Sequence, residues 1–447
     1  MIKVAKFGGS SLADAGQFQK VKAIVEADPS RRFVVASACG KSSPSDHKVT
    51  DLLYLCQAHL RYGVSYEPIF KEIETKYYAI KEALHLSLDL DAEFARIRKM
   101  MNKDVSTDLL VSRGEYLTSR LLAEYLDFDF LDAADVLAFH YDGTIDYERT
   151  ASQLSSRTGE RGVVIPGFYG ALPNGAIRVF SRGGSDVSGA VIANVVNADV
   201  YENWTDVPGF LVTDPRIVKD PMPIKRINYS ELRAMSYMGA NVLHDDAVFP
   251  VRSKNIPINI RSTNDPDAPG TMILSDCSEM DAMDPPPIIT GITGRKNFTA
   301  LTLTCSHASA LPGYLRQILE VFEEFKVSVE SVPMTVDTIS VIVSSDAVSE
   351  NLYDIVNQLR EKIKPDSLKI EENLAMIAIV GRAIQEKPGM SGRLLSEFGR
   401  NQINIKVISQ SADELCVTVG VNNRDFEKAV RCIYEKFIAE ESKGAEG

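Results

Sequence analysis

Two stretches of this chain align with each other without a gap: PGYLRQILEVFEEFKVSVESV from Pro312 and PGMSGRLLSEFGRNQINIKVI from Pro388. Phe322 then matches Phe398, Val327 matches Ile403 and Val329 matches Ile405. Each copy reads as a strand, a Pro-Gly turn, an amphipathic helix, two strands, a second helix and often a final strand. In the first copy Leu315, Ile318, Leu319 and Phe322 share one helical face, and the V-x-V that follows alternates as half-buried strands do. A repeat of this kind confines the C-terminal part of the chain to two βαββαβ units of the ferredoxin-like type.

The rest of the 447 residues must hold at least one further core, since a domain usually takes about 100 to 200 residues. KVAKFGG and RRFVVASACG each read as a buried strand ending in a glycine turn, with a helical stretch between them. Strands such as GVVIPGF and ADVYENWTDV then alternate with helical pieces such as SGAVIANVV, so a layered α/β domain with a mostly parallel sheet is expected. From Pro68 to Met101 the apolar residues follow the helical period, which predicts a helical subdomain at about 60–105. DCSEMDAMDPPP, from Asp276 to Pro287, is acidic, proline-rich and without periodicity, and reads as a linker. The expected organisation is a first domain at 1–280, repeats at 288–366 and 367–440 whose strands are free to interleave, and a disordered tail at 441–447.

With 45% apolar and 25% charged residues the chain is composed like a globular protein, and its formal charge of -12 supplies no field to gather nucleic acid. No stretch approaches the roughly 20 apolar residues of a membrane span, and the first residues meet glycines before a signal-peptide core develops. Cytoplasm is the expected compartment. The six cysteines lack the close pairing of a zinc or redox site, so they read as core residues.

KFGGSS, Lys6 to Ser11, places a lysine at a strand end and two glycines where backbone must approach something closely. A phosphate fits, with Gly8 and Gly9 aiming their N–H groups into one concavity and Lys6 reaching a transferring phosphoryl group. A tight turn with a surface lysine is the plainer alternative. GKSS at Gly40 to Ser43 is no Walker loop, because Val35 stands where the earlier glycine belongs, yet the turn could bring Ser42 beside the first glycine loop. SRGGSD, Ser181 to Asp186, offers a guanidinium fork in Arg182, backbone donors at Gly183, Gly184 and Ser185, and a carboxylate at a helix start. Asp186 could equally be a helix cap. Arg113 and Glu115 open another helix, where Glu115 either holds an ammonium ion or answers the helix dipole. NWTDVPGFLVTDPR, Asn203 to Arg216, is a structured loop whose Thr205, Asp206, Asp214 and Arg216 could surround a ribose and phosphates.

Taken together, KFGGSSLAD, SRGEYLTSRLLAEYL, SRGGSDVSGA, NWTDVPGFLVTDPR, SYMGANVLHDDAVFPV and IPINIRSTNDPDAPGT follow the order found in aspartokinases, and the chain resembles that family over nearly its whole length. The resemblance implies an amino-acid-kinase three-layer αβα sandwich followed by paired ACT domains, and ATP-dependent phosphorylation of the L-aspartate side chain to 4-phospho-L-aspartate. By the same resemblance Lys6 and Asp186 are catalytic, and Lys6, Phe7, Gly8, Gly9 and Ser10 hold the phosphates. Thr205, Asp206, Leu211, Asp214 and Arg216 frame the nucleotide, with Asn241 and Val242 close to the adenine; Asn241 departs from the lysine that many relatives carry there. Ser42, Glu115, Arg182, Gly183, Gly184 and Ser185 bind aspartate, Arg182 by its α-carboxylate and Glu115 by its ammonium group.

The acceptor carboxylate, with a reference pKa of about 3.9, needs no general base. ATP with Mg²⁺ is the implied phosphoryl donor, and no residue is singled out as a metal ligand. The repeats imply feedback by an amino acid, lysine before threonine, at Gly313, Tyr314, Val327, Ser328 and Glu330, in a homodimer joined through its ACT domains. No homoserine dehydrogenase module is expected. The alternatives are a kinase of glutamate or acetylglutamate, and a catalytically silent amino-acid sensor on the same scaffold.

Overall fold

The structure, a computed structural model, describes residues 1–181, 183–239, 243, 245–306, 313–385, 387–412 and 415–439. The chain divides into two compact units. The first comprises Met1–Phe210, Pro223–Tyr229 and Asn241–Cys277, and the second Leu211–Met222, Ser230–Ala240 and Ser278–Gly447.

The first unit is built on β1 (Lys3–Phe7), β2 (Phe33–Ala36), β3 (Asp129–Phe130), β4 (Val163–Pro166), a small hairpin of β5 (Tyr169–Ala171) and β6 (Ile177–Val179), β7 (Val200–Thr205), β8 (Arg226–Asn228), β9 (Ile258–Ser262) and β10 (Thr271–Leu274). Outside the hairpin these strands form one sheet in the order β3-β4-β2-β1-β7-β9-β10-β8. Every neighbouring pair is parallel except β9 with β10. β2 and β4 are buried at all their residues, as expected of strands covered on both faces.

One face of the sheet, carrying Ala5, Phe7, Val34, Ala36, Val164 and Trp204, shares a core with the helix Ala15–Glu26 through Phe18, Val21, Ile24 and Val25. Asp14 caps that helix by accepting from Gln17 N at 2.9 Å. The helices Val49–Tyr62, Glu67–Ala83, Leu90–Met100 and Arg113–Leu126 draw on the same core through residues such as Leu53, Phe70, Tyr77, Phe94 and Leu121. The helix Gly184–Val195 covers the other face against β1, β2 and β7, and is backed by Asp245–Arg252. This is the expected three-layer, mostly parallel arrangement.

The second unit holds one antiparallel sheet in the order β12-β13-β11-β14-β16-β15. Its strands are β11 (Gly291–Thr304), β12 (Val329–Ser331), β13 (Thr338–Ser344), β14 (Ser367–Val380), β15 (Val407–Gln410) and β16 (Cys416–Asn422). β11 and β14 each serve both four-stranded halves of this sheet. Phe298–Thr304 lies between β13 and the first half of β14, whereas Gly291–Arg295 pairs with Met376–Val380, whose other neighbour is β16.

The switch falls at a register shift between Arg295 and Phe298, with Asn297 and Asn373 left-handed at φ 67° and 61°. Each half therefore has four strands in the ferredoxin-like order, and the fourth strand of the second half, Gly291–Arg295, is drawn from the start of the stretch expected as the first repeat. The repeat matches in burial as it does in sequence, since Phe322 and Phe398 are both fully buried under their sheets. The segment read as a linker contains the helix Ser278–Met283, whose Asp281 accepts from Arg382 at 2.6 and 2.8 Å within the second unit. Among the described residues no helix is long and apolar enough to cross a membrane.

Candidate active site

In a parallel sheet, loops gather at the carboxyl ends of the strands. Here those ends bring together the glycine turn after β1, the Ser37–Gly40 turn after β2, Gly167 after β4 and the side chains of β7. Because side chains alternate along a strand, Phe7 enters the core face while Lys6 faces the side of the helix Gly184–Val195. Lys6 is only 7% exposed. Its Nζ lies 2.5 Å from Asp186 Oδ1 and donates to Asn203 Oδ1 at 3.5 Å, and Asn203 Nδ2 donates to the same Asp186 oxygen at 2.9 Å. A buried ammonium needs such partners, and Asp186 is placed for it by the first turn of its helix.

The glycine turn differs in one detail from the sequence expectation. The Gly8 N–H does not enter a cradle with Gly9; it donates to Trp204 O at 3.0 Å and so continues the β1–β7 ladder. The N–H groups of Gly9 and Ser10 are the ones with no acceptor among the described residues. Gly9 has helical angles of φ -61° and ψ -36°, and adjacent N–H groups in that conformation suit an anion.

The turn after β2 presses on this loop. Gly40 N donates to Gly9 O at 2.8 Å, and a Cβ on Gly40 would stand 2.5 Å from the Gly9 carbonyl carbon. Ser42, exposed further along, gives its N–H and Oγ to Asp46 Oδ2 at 2.7 and 2.8 Å.

Glu115 lies in the first turn of Arg113–Leu126 and is 4% exposed. Burial pushes its carboxyl up to about 8, even though the Ala38 backbone N–H and its own oppose that shift. Its Oε2 has no partner among the described residues. An acceptor of this kind invites a cationic donor from outside the chain. The neighbouring Gly114 packs against Ala38, which a Cβ would approach to 2.9 Å, so Glu115 stands beside the turn that meets the glycine loop.

Gly183 is left-handed at φ 55°, and a Cβ on Gly184 would strike the Phe168 ring at 2.4 Å. Gly167 likewise admits Ser185, whose Cβ a Gly167 side chain would meet at 2.7 Å. Thr205 Oγ1 donates to Asp206 at 3.1 Å at the end of β7. Leu211, Asp214 and Arg216 group with the second unit, where Arg216 grips Asp214 through Nε at 3.0 Å and Nη2 at 2.6 Å while remaining 88% exposed. Arg182, Asn241 and Val242 lie outside the described residues.

The expected effector contacts do not converge within the chain. Gly313 and Tyr314 begin the helix that follows the Thr304 end of β11, and the Tyr314 hydroxyl pairs with Cys305. Glu330 sits at the other end of β13, because its neighbour Val329 pairs with Val343, whereas Thr304 pairs with Thr338. Its carboxylate receives Arg295 Nη2 at 3.1 Å and lines a cavity of about 200 Å³ with Tyr237, Phe298 and Met376. Val327 is buried in the core of the first repeat and Ser328 is exposed.

Asn203 and Lys76, which sequence reasoning did not single out, are the additions. Asn203 stood inside a motif already noted; Lys76 carried no signal, since a lysine on an amphipathic helix ordinarily reads as solvated.

Residues 1–262 match the amino acid kinase family and residues 377–437 match an ACT domain. Aspartokinase 3 of Bacillus subtilis is 31% identical over 98% of this chain and 99% of its own. Among solved structures, aspartate kinase of Clostridium acetobutylicum superimposes with a TM-score of 0.90 at 41% identity, covering 98% of this chain and 99% of that one. Aspartokinase III of Escherichia coli, in complex with lysine and aspartate, gives 0.77 at 26% identity over 98% and 99%. The same enzyme with aspartate and ADP gives 0.72 at 26% identity over 97% and 99%. A parallel sheet with a buried lysine at its carboxyl edge, a paired ferredoxin-like module and these full-length matches agree: the chain belongs to the aspartokinase family.

Proposed function

We propose that this aspartate kinase transfers the γ-phosphoryl group of ATP to the β-carboxylate of L-aspartate, giving 4-phospho-L-aspartate and ADP. The observation that carries the reading is the Lys6 ammonium, held between Asp186 and Asn203 next to the N–H groups of Gly9 and Ser10, which have no acceptor among the described residues. A carboxylate oxygen forms the new bond to phosphorus as the bond to the ADP oxygen breaks. The nucleophile is already ionised, so no proton has to move. What the site must supply is alignment and neutralisation of charge on the phosphoryl oxygens, and Lys6 with the glycine-loop donors supplies both.

Glu115 receives the substrate ammonium, which supplies the partner its Oε2 lacks among the described residues. Arg182 takes the α-carboxylate, helped by backbone donors at Gly183, Gly184 and Ser185, with Ser42 at the rim. Thr205, Asp206, Asn241 and Val242 frame the nucleotide. Asp186, whose Oδ1 meets Lys6 and Asn203, is a carboxylate that would serve as one protein ligand for a divalent ion. Mg²⁺ would there add positive charge at the phosphate oxygens.

The paired ACT units receive an amino-acid effector, with lysine ahead of threonine, and join two copies of the chain. The product would feed the lysine, threonine and methionine branches of amino-acid synthesis in the cytoplasm. An assay with ATP, Mg²⁺ and L-aspartate, trapping the acyl phosphate with hydroxylamine, tests the reading. Hydroxamate that depends on aspartate supports it; formation only with glutamate or acetylglutamate, or with neither, overturns it.

A further inference from the structure

Lys76 lies on the helix Glu67–Ala83, in a stretch with no chemical motif. Its side chain is 12% exposed, and its Nζ donates to Gly40 O at 2.5 Å, Asp46 Oδ2 at 2.7 Å and His47 O at 3.2 Å. Three acceptors fill the three N–H bonds of an ammonium, and all belong to the loop between β2 and the helix Val49–Tyr62. A lysine merely capping its own helix would meet acceptors of that helix.

The contacts continue in two directions. Through Asp46, whose Oδ2 also takes the Ser42 N–H and hydroxyl, Lys76 fixes the outer part of the loop. Through Gly40, whose N–H donates to Gly9 O, it fixes the glycine loop that leads away from Lys6. The next residue on the helix, Tyr77, donates to Gly114 O at 2.8 Å, directly before Glu115. One helical turn thus braces three segments that the reaction needs in register.

We propose that Lys76 is a positioning residue of the acceptor subsite. It holds the 40–47 loop so that the substrate carboxylate lies in line with the phosphoryl group gathered at Gly9 and Lys6. The loop carries no regular structure between Gly40 and Lys48, so the cation substitutes for the hydrogen bonds a strand or helix would provide. The assignment rests on the site being the aspartate and ATP site described above.

The test compares full-length wild type with Lys76→Met, Lys76→Arg and Asp46→Asn, varying aspartate and ATP separately and recording Tm. Lys76→Met is expected to lower kcat/KM for aspartate at least ~30-fold, chiefly through KM, while the KM for ATP rises no more than ~3-fold. Lys76→Arg, which keeps the charge, should recover most of the loss. Asp46→Asn should reproduce the aspartate effect, and the double variant should be no worse than Lys76→Met alone, since both act through one contact.

A folded Lys76→Met enzyme whose KM for aspartate stays within about twofold of wild type overturns the assignment. Should that variant not fold, an Asp46→Asn enzyme with unchanged aspartate KM does the same. A wild type without aspartate-dependent turnover removes the underlying reading, and this assignment with it; normal wild-type kinetics with unresponsive variants remove this assignment alone.

Discussion

Lys6 Nζ lies 2.5 Å from Asp186 Oδ1, and the two groups come from a strand and a helix start far apart in the sequence. The pair holds a cation ready at the edge of the sheet before any ligand arrives. Such preorganisation removes the need to assemble a charged donor at the moment of transfer.

Lys6→Met should therefore reduce kcat by at least ~100-fold, the scale of removing one preorganised electrostatic group. Asp186→Asn leaves the ammonium in place but without its anion. A smaller loss is expected there, at least ~10-fold, because Asn203 still offers an acceptor at 3.5 Å. Steady-state rates at saturating ATP and aspartate decide both.

Glu115 predicts a pH dependence. Its carboxyl, raised by burial to about 8, is mostly protonated at pH 7 when no ligand is bound. An arriving ammonium pairs with the ionised form, so the KM for aspartate should fall as pH rises from 6 to 8. Calorimetry in buffers of different ionisation enthalpy should find close to one proton released on binding at pH 7.

The same group sets a stability trend. Between its ordinary value of 4.5 and about 8 the folded chain keeps a proton that the unfolded chain has lost, so burial of Glu115 costs more as pH climbs through that window. Glu115→Gln should gain in Tm relative to wild type from pH 5 to 8, as read by thermal melts. A gap that stays constant with pH would contradict the assignment of the titration to Glu115.

Gly40→Ala would drive a methyl to 2.5 Å from the Gly9 carbonyl carbon, where only backbone stands to give way. A loss of about 1–3 kcal/mol in denaturant unfolding is expected, with a raised KM for ATP as the glycine loop shifts.

The shared strand β11 makes a prediction for the second unit. A Cβ at Gly294 would stand 2.4 Å from Met376 O, so Gly294→Val should part Gly291–Arg295 from β14. Hydrogen exchange should then rise across Met376–Val380 and β16 more than across β13, although residue 294 is nearer to β13 than to β16 along the chain. Equal protection in the two halves would contradict the interleaved topology.

Features carried by local patterns were legible in the sequence. The equivalence of Phe322 and Phe398 showed as a matched helical stripe, and the turn after β1 showed as a lysine and two glycines at a strand end. Long-range hydrogen bonds were not. Gly8 is occupied by Trp204 O because β7 runs beside β1, and no spacing within KFGGSS could reveal that neighbour. Lys76 resembled any solvated lysine until the 40–47 loop folded over it. Glu330 and Gly313 stand near each other in the repeat, yet the antiparallel register sends them to opposite ends of β13.

The most direct measurement is single-turnover formation of β-aspartyl hydroxamate by wild type and Lys6→Met, with aspartate affinity measured on both by calorimetry. The account predicts hydroxamate from wild type, at least ~100-fold slower formation by the variant, and aspartate binding of similar strength in the two. Equal rates of hydroxamate formation would show that the cation between Asp186 and Asn203 is not what drives the transfer.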